Sequence, residues 1–335
     1  MKFLADERLY SHTEECLRFL RELIGDVNDA VPRKTERYHM YWYGDFSSKQ
    51  AFAIKSFLAT QDLKKSELWL WLDAENGYSD HTNNPFLSPF LPFLNVMRFD
   101  SGTEALDTPL EDRPDMFGVS PSSRSDFFRH IVLFKHGGVY VDMDTMFLRD
   151  ISPLLCNEQF DSEFCYRWSA HQNYGSSAVM RLRRQSETGY TLLVRCREQG
   201  SCHPRRVLRF EDNIDMELTV LPCVFFDPLW PHYDHKDKYK SAPFNRFEYF
   251  FRKFNWGFRR KRSIRSCRDF FPGAFTYHWH NFWDVREHED SYFGFFNREF
   301  DQLIREKLGI EIPPIHDADL VRESVMNDRP ARQYK

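Results

Sequence analysis

Two aspartates separated by one residue, Asp142 and Asp144, come directly after the apolar run Val139-Tyr140-Val141. Alternate residues of an extended chain face the same side, so both carboxylates can turn toward one point where the chain leaves the pleat. A pair of hard oxygens suits a divalent cation. Mg²⁺ keeps several waters and takes one or two protein carboxylates together with phosphate oxygens, which a short acidic pair satisfies better than a full protein cage. A cation held there can neutralise a leaving diphosphate. Asp also stands where strands simply end, and a bare Asp-x-Asp is a frequent pattern. Context separates the two readings, because two acids exposed at the end of a buried strand without a cation are electrostatically unfavourable.

Other residues compete for chemical roles. Asp126 and Arg129 are spaced as an i, i+3 ion pair, and Ser123-x-x-Asp126 reads as a capping box, so spacing alone assigns both to helix structure. Trp42 either stacks on a base or fills the core. His278 and His280, within Tyr277-His278-Trp279-His280-Asn281-Phe282-Trp283, either bind a metal or phosphate or make an aromatic packing corner. Asn173, Asp212, Asp227 and the Pro231-His232 turn are candidates that the sequence does not rank.

The elements that must position these residues alternate between strand and helix. Aromatic Tyr38 to Tyr43 reads as a strand that stops at Gly44-Asp45 before a helix over Ser47 to Thr60, and Leu68 to Leu72 and Asn95 to Phe99 read as further strands. Ser122 to His136 has apolar residues at helical spacing and ends on a basic turn followed by Gly137-Gly138, the mark of a capped helix. It feeds Val139-Tyr140-Val141, placing the acidic pair at a strand's carboxyl end, where open α/β sheets bind ligands. Beyond Pro153 a strand near Phe164, a helix over Thr191 to Glu198, a strand over Leu218 to Phe226 and a helix over Asn297 to Leu308 are expected. Residues 1–36 read as a helical segment, 37–285 as the main domain with halves at 37–155 and 156–285, and 286–335 as a helix and tail. Strands alternating with helices predict an α/β fold with a mostly parallel sheet.

Composition narrows the function. The chain has 335 residues, room for one large domain or two smaller ones at roughly 100–200 residues each. Hydrophobic residues at 41% and 33 Phe can cover a sheet on both faces. A formal charge of −4 gives no global field for nucleic acid, which is excluded as a partner. Seven Cys, without a Cys-x-x-Cys pair, read as free buried thiols rather than as a disulfide framework or zinc site. The amino terminus lacks a signal-peptide apolar stretch, no segment reaches transmembrane length, and there is no Asn-x-Ser/Thr acceptor. A cytoplasmic enzyme is expected, and a Golgi-lumenal one only for a chain shortened at an anchor. Between Arg252 and Arg265 stand seven Lys or Arg and no acid, interleaved with aromatics; this is either a solvated loop or a peripheral contact with an anionic membrane.

Taken together, Ser125-Asp126-Phe127-Phe128-Arg129 and Gly137-Gly138-Val139-Tyr140-Val141-Asp142-Met143-Asp144 resemble the DXD block of glycosyltransferase family 32, which is related to the catalytic domains of clostridial glucosylating toxins. His39-Met40-Tyr41-Trp42-Tyr43-Gly44 is similar to that family's His-x-x-Trp-x-Gly pattern, and His278-Trp279-His280-Asn281-Phe282-Trp283 resembles its late His-Trp-x-x-x-Trp pattern, so the resemblance spans residues 37–284. It implies a GT-A fold with a mostly parallel central sheet flanked by helices. It also implies retaining transfer of a hexose from a nucleotide-diphosphate sugar, a UDP- or GDP-sugar, to a glycan, lipid-linked or protein acceptor, with Mn²⁺ or Mg²⁺ as cofactor. On this chain Trp42 would stack on the base, Asp126 and Arg129 would contact the donor's sugar and ribose region, and Tyr140 would line the donor pocket. Asp142 would meet the ribose or the metal through water, Asp144 would bind the metal, His278 would complete the metal or diphosphate site, and Trp283 would close over the donor. His280-Asn281-Phe282 departs from the small polar residues usual there, which leaves both His278 and His280 as candidates.

No dedicated general base is visible; in a front-face reaction the leaving phosphate oxygen takes the acceptor's proton. Two rivals remain. A phosphotransferase of the haloacid-dehalogenase type wants Thr or Val four residues after the first Asp, where this chain has Met146. The other is a non-catalytic nucleotide-sugar or partner-binding protein of the same fold.

Overall fold

Hydrophobic runs too long to be covered on one face become the inner strands of a sheet with helices on both sides. The computed structural model describes residues 2–3, 13–25, 35–75, 83–117, 120–156, 163–168, 172–213, 216–231, 242–253 and 264–312. Its strands are β1 (Lys2–Phe3), β2 (Glu36–Trp42), β3 (Ser66–Asp73), β4 (Leu94–Phe99), β5 (Gly138–Val141), β6 (Thr145–Phe147), β7 (Phe164–Arg167), β8 (Gly175–Leu182), β9 (Thr219–Leu221) and β10 (Thr276–His278). Eight of them form one sheet in the order β1-β9-β7-β8-β5-β2-β3-β4. Every pairing in it is parallel except those of β8, which runs against both β5 and β7. The expected α/β architecture, a mostly parallel sheet flanked by helices, is what the chain forms.

The strand pleat sorts side chains onto the two faces. On β2 and β5, Tyr38, Met40, Val139 and Val141 face one apolar cluster that also holds Phe52, Phe57, Trp279 and Phe300. Tyr41 and Tyr140 face the other, with Phe128, Leu192 and Leu193. The Ser48–Thr60 and Tyr292–Leu308 helices thus cover the first face, and the Pro121–His136 and Glu187–Gln199 helices the second. No helix among the described residues is long and apolar enough to cross a membrane.

Two glycines decide how the acidic pair is delivered. The Pro121–His136 helix stops at Gly137, whose N–H donates to the Leu133 carbonyl at 2.8 Å, and Gly137 and Gly138 both have positive φ, 67° and 105°. A Cβ at Gly138 would lie 2.4 Å from the Arg37 carbonyl oxygen. Only glycine lets the chain reverse this tightly and start β5 against β2.

Several expectations are corrected. The strand expected over Leu218 to Phe226 is only Thr219–Leu221, because Pro222 ends it and a 3₁₀ turn over Cys223–Phe225 follows. Ser123 does not cap its helix: the N-cap is Ser120, whose Oγ accepts from the Ser123 N–H, so the capping box with Asp126 does not exist. The last helix starts five residues earlier than read, at Tyr292, capped by Ser291. Cys196 and Cys202 are joined in a disulfide, against the reading of all thiols as free; Cys16, Cys165, Cys223 and Cys267 are free and buried as expected. Residues 254–263 of the basic stretch, and His232, lie outside the described residues.

Candidate active site

Asp142 continues the pleat of β5, its N–H donating to the Ala178 carbonyl of β8 at 2.8 Å. It therefore emerges on the same face as Tyr140, beneath the Pro121–His136 helix, and meets Arg129. Arg129 Nη2 lies 2.9 Å from Asp142 Oδ1 and 3.3 Å from Asp126 Oδ1. Its Nη1 donates to Ser177 Oγ at 3.1 Å, and its guanidinium lies over the Tyr140 ring. The Tyr140 hydroxyl donates to Asp142 Oδ1 at 2.7 Å. Asp142 is thus held mainly through one oxygen; among the described residues Oδ2 has only the long 3.5 Å contact from Arg129 Nη1.

Asp144 is positioned by a different device. After the acidic turn the chain enters β6, which pairs antiparallel with β10 and sets Thr145 opposite His278. The Trp279 N–H donates to the Asp144 carbonyl at 3.0 Å. This short ribbon is what carries a late residue of the sequence into the site. His278 Nε2 comes to 3.0 Å from Asp144 Oδ1, and the Asn281 N–H donates to Asp144 Oδ2 at 2.6 Å. His280 and Asn281 reach these positions with left-handed backbone, φ 54° and 57°, a strained choice for non-glycine residues that functional corners often retain.

The two histidines take different partners. His278 faces Asp144, whereas His280 Nε2 donates to Asp227 Oδ2 at 2.7 Å, and the two rings stack with centroids 4.0 Å apart. His278 Nδ1 is buried without a hydrogen-bond partner, as is Asp227 Oδ1, and the nearer Asp227 oxygen is 4.0 Å from that nitrogen. Burial works to raise the Asp144 carboxyl, but the charge and hydrogen bond of His278 outweigh it and hold it down to about 2. Burial likewise disfavours a charged His278, yet Asp144, then Asp227 and Asp142, raise it to about 9. Asp142 is pushed up by burial against the pull of Arg129, and burial raises Asp126 to about 7 despite the same guanidinium.

Trp42, Asp126, Arg129, Tyr140, Asp142, Asp144, His278 and Trp283 all line a single cavity of about 540 Å³, a volume suited to a small-molecule ligand. Trp42 and Trp283 meet with centroids 4.7 Å apart and wall it; their indole N–H groups are tied to the Asp45 carbonyl and to Asn281 Oδ1. Residues the sequence did not single out complete the site. Asp227 is a candidate that the sequence does not rank, and neither Ser177, which holds Arg129, nor Trp168, which lines the cavity, carries a local signal, since each arrives through the sheet rather than through a motif.

The donor set fits a divalent cation. Asp142, Asp144 and His278 each offer a ligand atom, all within 4.8 Å of one another. The 3.0 Å Nε2 to Oδ1 separation matches the edge of an octahedron with bonds of about 2.1 Å. Four carboxylates, Asp126, Asp142, Asp144 and Asp227, surround one guanidinium and two imidazoles, an excess of negative charge that a cation would offset.

Residues 98–161 match the family described as glycosyltransferase sugar-binding region containing DXD motif. No curated protein matches the chain. Among solved structures, the chain is similar to PaToxG glycosyltransferase (16% identity, 63% of this chain and 81% of that one, TM-score 0.42). It is also similar to the glycosyltransferase GlyE of Streptococcus pneumoniae TIGR4 (11% identity, 83% and 64%, TM-score 0.45). A third similar structure is the galactosyltransferase LgtC in complex with donor and acceptor sugar analogues (10% identity, 84% and 98%, TM-score 0.42).

Proposed function

We propose that this chain, whose residues 98–161 match the glycosyltransferase sugar-binding region containing DXD motif, is a glycosyltransferase of the GT-A type that transfers a hexose with retention from a UDP- or GDP-sugar to a glycan, lipid-linked or protein acceptor. The observation that carries this reading is the convergence of Asp142, Asp144 and His278 on one wall of a cavity that Trp42 and Trp283 close on another. Glycosyltransferases of this kind use a divalent metal and a nucleotide sugar. Here Asp144 Oδ1 and His278 Nε2 would hold Mn²⁺ or Mg²⁺ directly, with Asp142 Oδ2 near or through water, and the cation would neutralise the departing diphosphate.

The chain's own residues do the rest. Trp42 and Trp283 present aromatic surface to the base, and Arg129, locked by Ser125, Ser177 and two aspartates, supplies fixed positive potential where negative charge develops on the leaving group. Asp126 is placed to accept from donor hydroxyls. Asp227, 4.0 Å from His278 Nδ1, would act through His278: with a cation on Nε2 the ring keeps its proton on Nδ1, on the side of the Asp227 carboxylate, the arrangement by which outer-shell carboxylates orient ligand histidines. Residues 37–155 would build most of the donor side, and 156–285 would contribute β7 to β10, with His278 and Trp283 of the donor site, and the acceptor side. Contact of 252–265 with an anionic membrane rests on its charge pattern alone; salt-reversible binding to anionic vesicles supports it, and salt-insensitive binding removes it.

The deciding experiment is thermal stabilisation by nucleoside diphosphates and their sugars, with and without Mn²⁺, on wild type and Asp144→Ala. Ligand that binds only the folded state raises the midpoint. A base-selective shift that needs both Mn²⁺ and Asp144 supports the reading and identifies the donor. Absence of any shift favours a non-catalytic protein. The anomeric configuration of the product, read by NMR, tests retention.

A further inference from the structure

A second cluster of ligating side chains, none of which lines the cavity, joins the Pro121–His136 helix to the end of the Glu187–Gln199 helix and the segment after it: His130, Cys196 and Cys202, all buried. Their ligand atoms lie within 4.8 Å of one another. His130 Nδ1 is 2.8 Å from the Asp126 carbonyl oxygen. A carbonyl only accepts, so Nδ1 carries the proton and Nε2 is a bare lone pair. That lone pair is fully buried and has no hydrogen-bond partner among the described residues, an unmet acceptor that costs stability. Burial keeps the ring neutral, lowering its pKa to about 4. The disulfide beside it offers no donor and cannot satisfy it, whereas either reduced state can: a thiol S–H can donate to Nε2, and a thiophilic cation can bind it together with both sulfurs.

We propose that the reduced form of this cluster is a Cys₂His site for a thiophilic divalent cation of the Zn²⁺ class, mutually exclusive with the Cys196–Cys202 disulfide. Charge favours a divalent ion, because two thiolates and one dication leave the buried site neutral, as the disulfide does. Access runs past Glu198 to Gly200, exposed between the two cysteines. The steps balance. Two electrons and two protons from a dithiol reductant, which leaves as its own disulfide, give two thiols; the cation then displaces both thiol protons and binds the thiolates and Nε2. The site would tie the helix bearing Asp126 and Arg129 to the segment leading to His203 and Pro204, which line the cavity.

The test reduces the protein with a water-soluble phosphine, which takes up oxygen from water as it opens the bond, and titrates Co²⁺ and Cd²⁺ while recording the thiolate-to-metal charge-transfer band. Carboxylates and imidazole cannot produce that band, so the cavity site is silent. One equivalent should bind with the band to reduced wild type, and none with the band to the oxidised protein or to Cys196→Ser/Cys202→Ser, whatever the cavity takes up silently. His130→Asn should keep the band and lose at least about tenfold in affinity. Circular dichroism checks that each variant is folded. A reduced, folded wild type without the band overturns the proposal, as does a band that survives the double serine variant, or a reduced chain that unfolds and is not restored by metal.

Discussion

Two corners at the carboxyl ends of β3 and β5 contain an aspartate facing a buried arginine, and they differ in what is left over. At the end of β3, Asp73 accepts from Arg124 through Nε at 3.1 Å and Nη2 at 2.9 Å, from the Tyr41 hydroxyl, and from the Glu75 N–H at 2.9 Å. Arg124 spends its remaining donors on Glu75 and the Phe117 carbonyl. At the end of β5, Arg129 is equally well held, but Asp126 joins Asp142 on it and Asp144 and Asp227 face two imidazoles close by, with His278 Nδ1 and Asp227 Oδ1 unmatched among the described residues. The first corner is closed; the second has valences to spare. Residue types are alike in both, and beyond the greater exposure of the Asp142 side chain, 18% against 0% for Asp73, satisfaction of polar atoms is what distinguishes a structural corner from a site built for a ligand.

That contrast can be broken from either side. Arg124→Met should be the costliest change, because it strands the Asp73 carboxylate in the interior; a loss of about 3–5 kcal/mol is expected in chemical denaturation. A small loss would mean that the β3 corner is not closed as described. Asp144→Asn should do the reverse, lowering turnover about 10²–10³-fold, the scale of losing one charge-stabilising group, while lowering stability by much less than Arg124→Met. If its main effect were on the unfolding midpoint, the β5 corner would be structural as well.

A third probe uses another closed unit. His39 Nε2–H donates to the Gly137 carbonyl at 2.8 Å and Nδ1 accepts from Trp71 Nε1 at 3.1 Å, and burial lowers its pKa to about 3. The unfolded imidazole titrates near 6.5, so acid protonates the unfolded chain first. The stability this neutral ring contributes is complete above about pH 6.5 and is lost as pH falls toward 3, about 2 kcal/mol of it by pH 5. His39→Gln should flatten the acid limb of stability against pH; an unchanged slope would show that His39 does not remain neutral. The smallest effect is expected for Asp227→Asn, with Mn²⁺ affinity falling about tenfold by EPR of free ion and turnover at saturating metal largely kept. Unchanged affinity would leave Asp227 as a partner of His280 only.

Much of the donor-side frame is legible in the chain. Gly137-Gly138 ahead of Val139-Tyr140-Val141 announces a helix reversing into a buried strand, and Asp142 follows by pleat alone. The misread parts are those where tertiary context overrides local pattern. Ser123 is as good a cap as Ser120, and only the packed helix start chooses between them. Leu218 to Phe226 is apolar enough for a long strand until Pro222 meets a ladder it cannot extend. Cys196 and Cys202 are unremarkable six residues apart until the turn after the Glu187–Gln199 helix brings them together.

By itself the sequence determined that Asp142 and Asp144 would stand together at a strand end, because strand periodicity and glycine conformation act over a few residues. It also carried the Trp42, Asp126–Arg129 and His278–Trp283 segments that resemble a known pattern. Only the tertiary structure decided that His278 rather than His280 faces Asp144, and that Asp227 stands behind both. The β6–β10 register sets which histidine turns inward, and that register joins strands more than a hundred residues apart, a distance over which local preference says nothing.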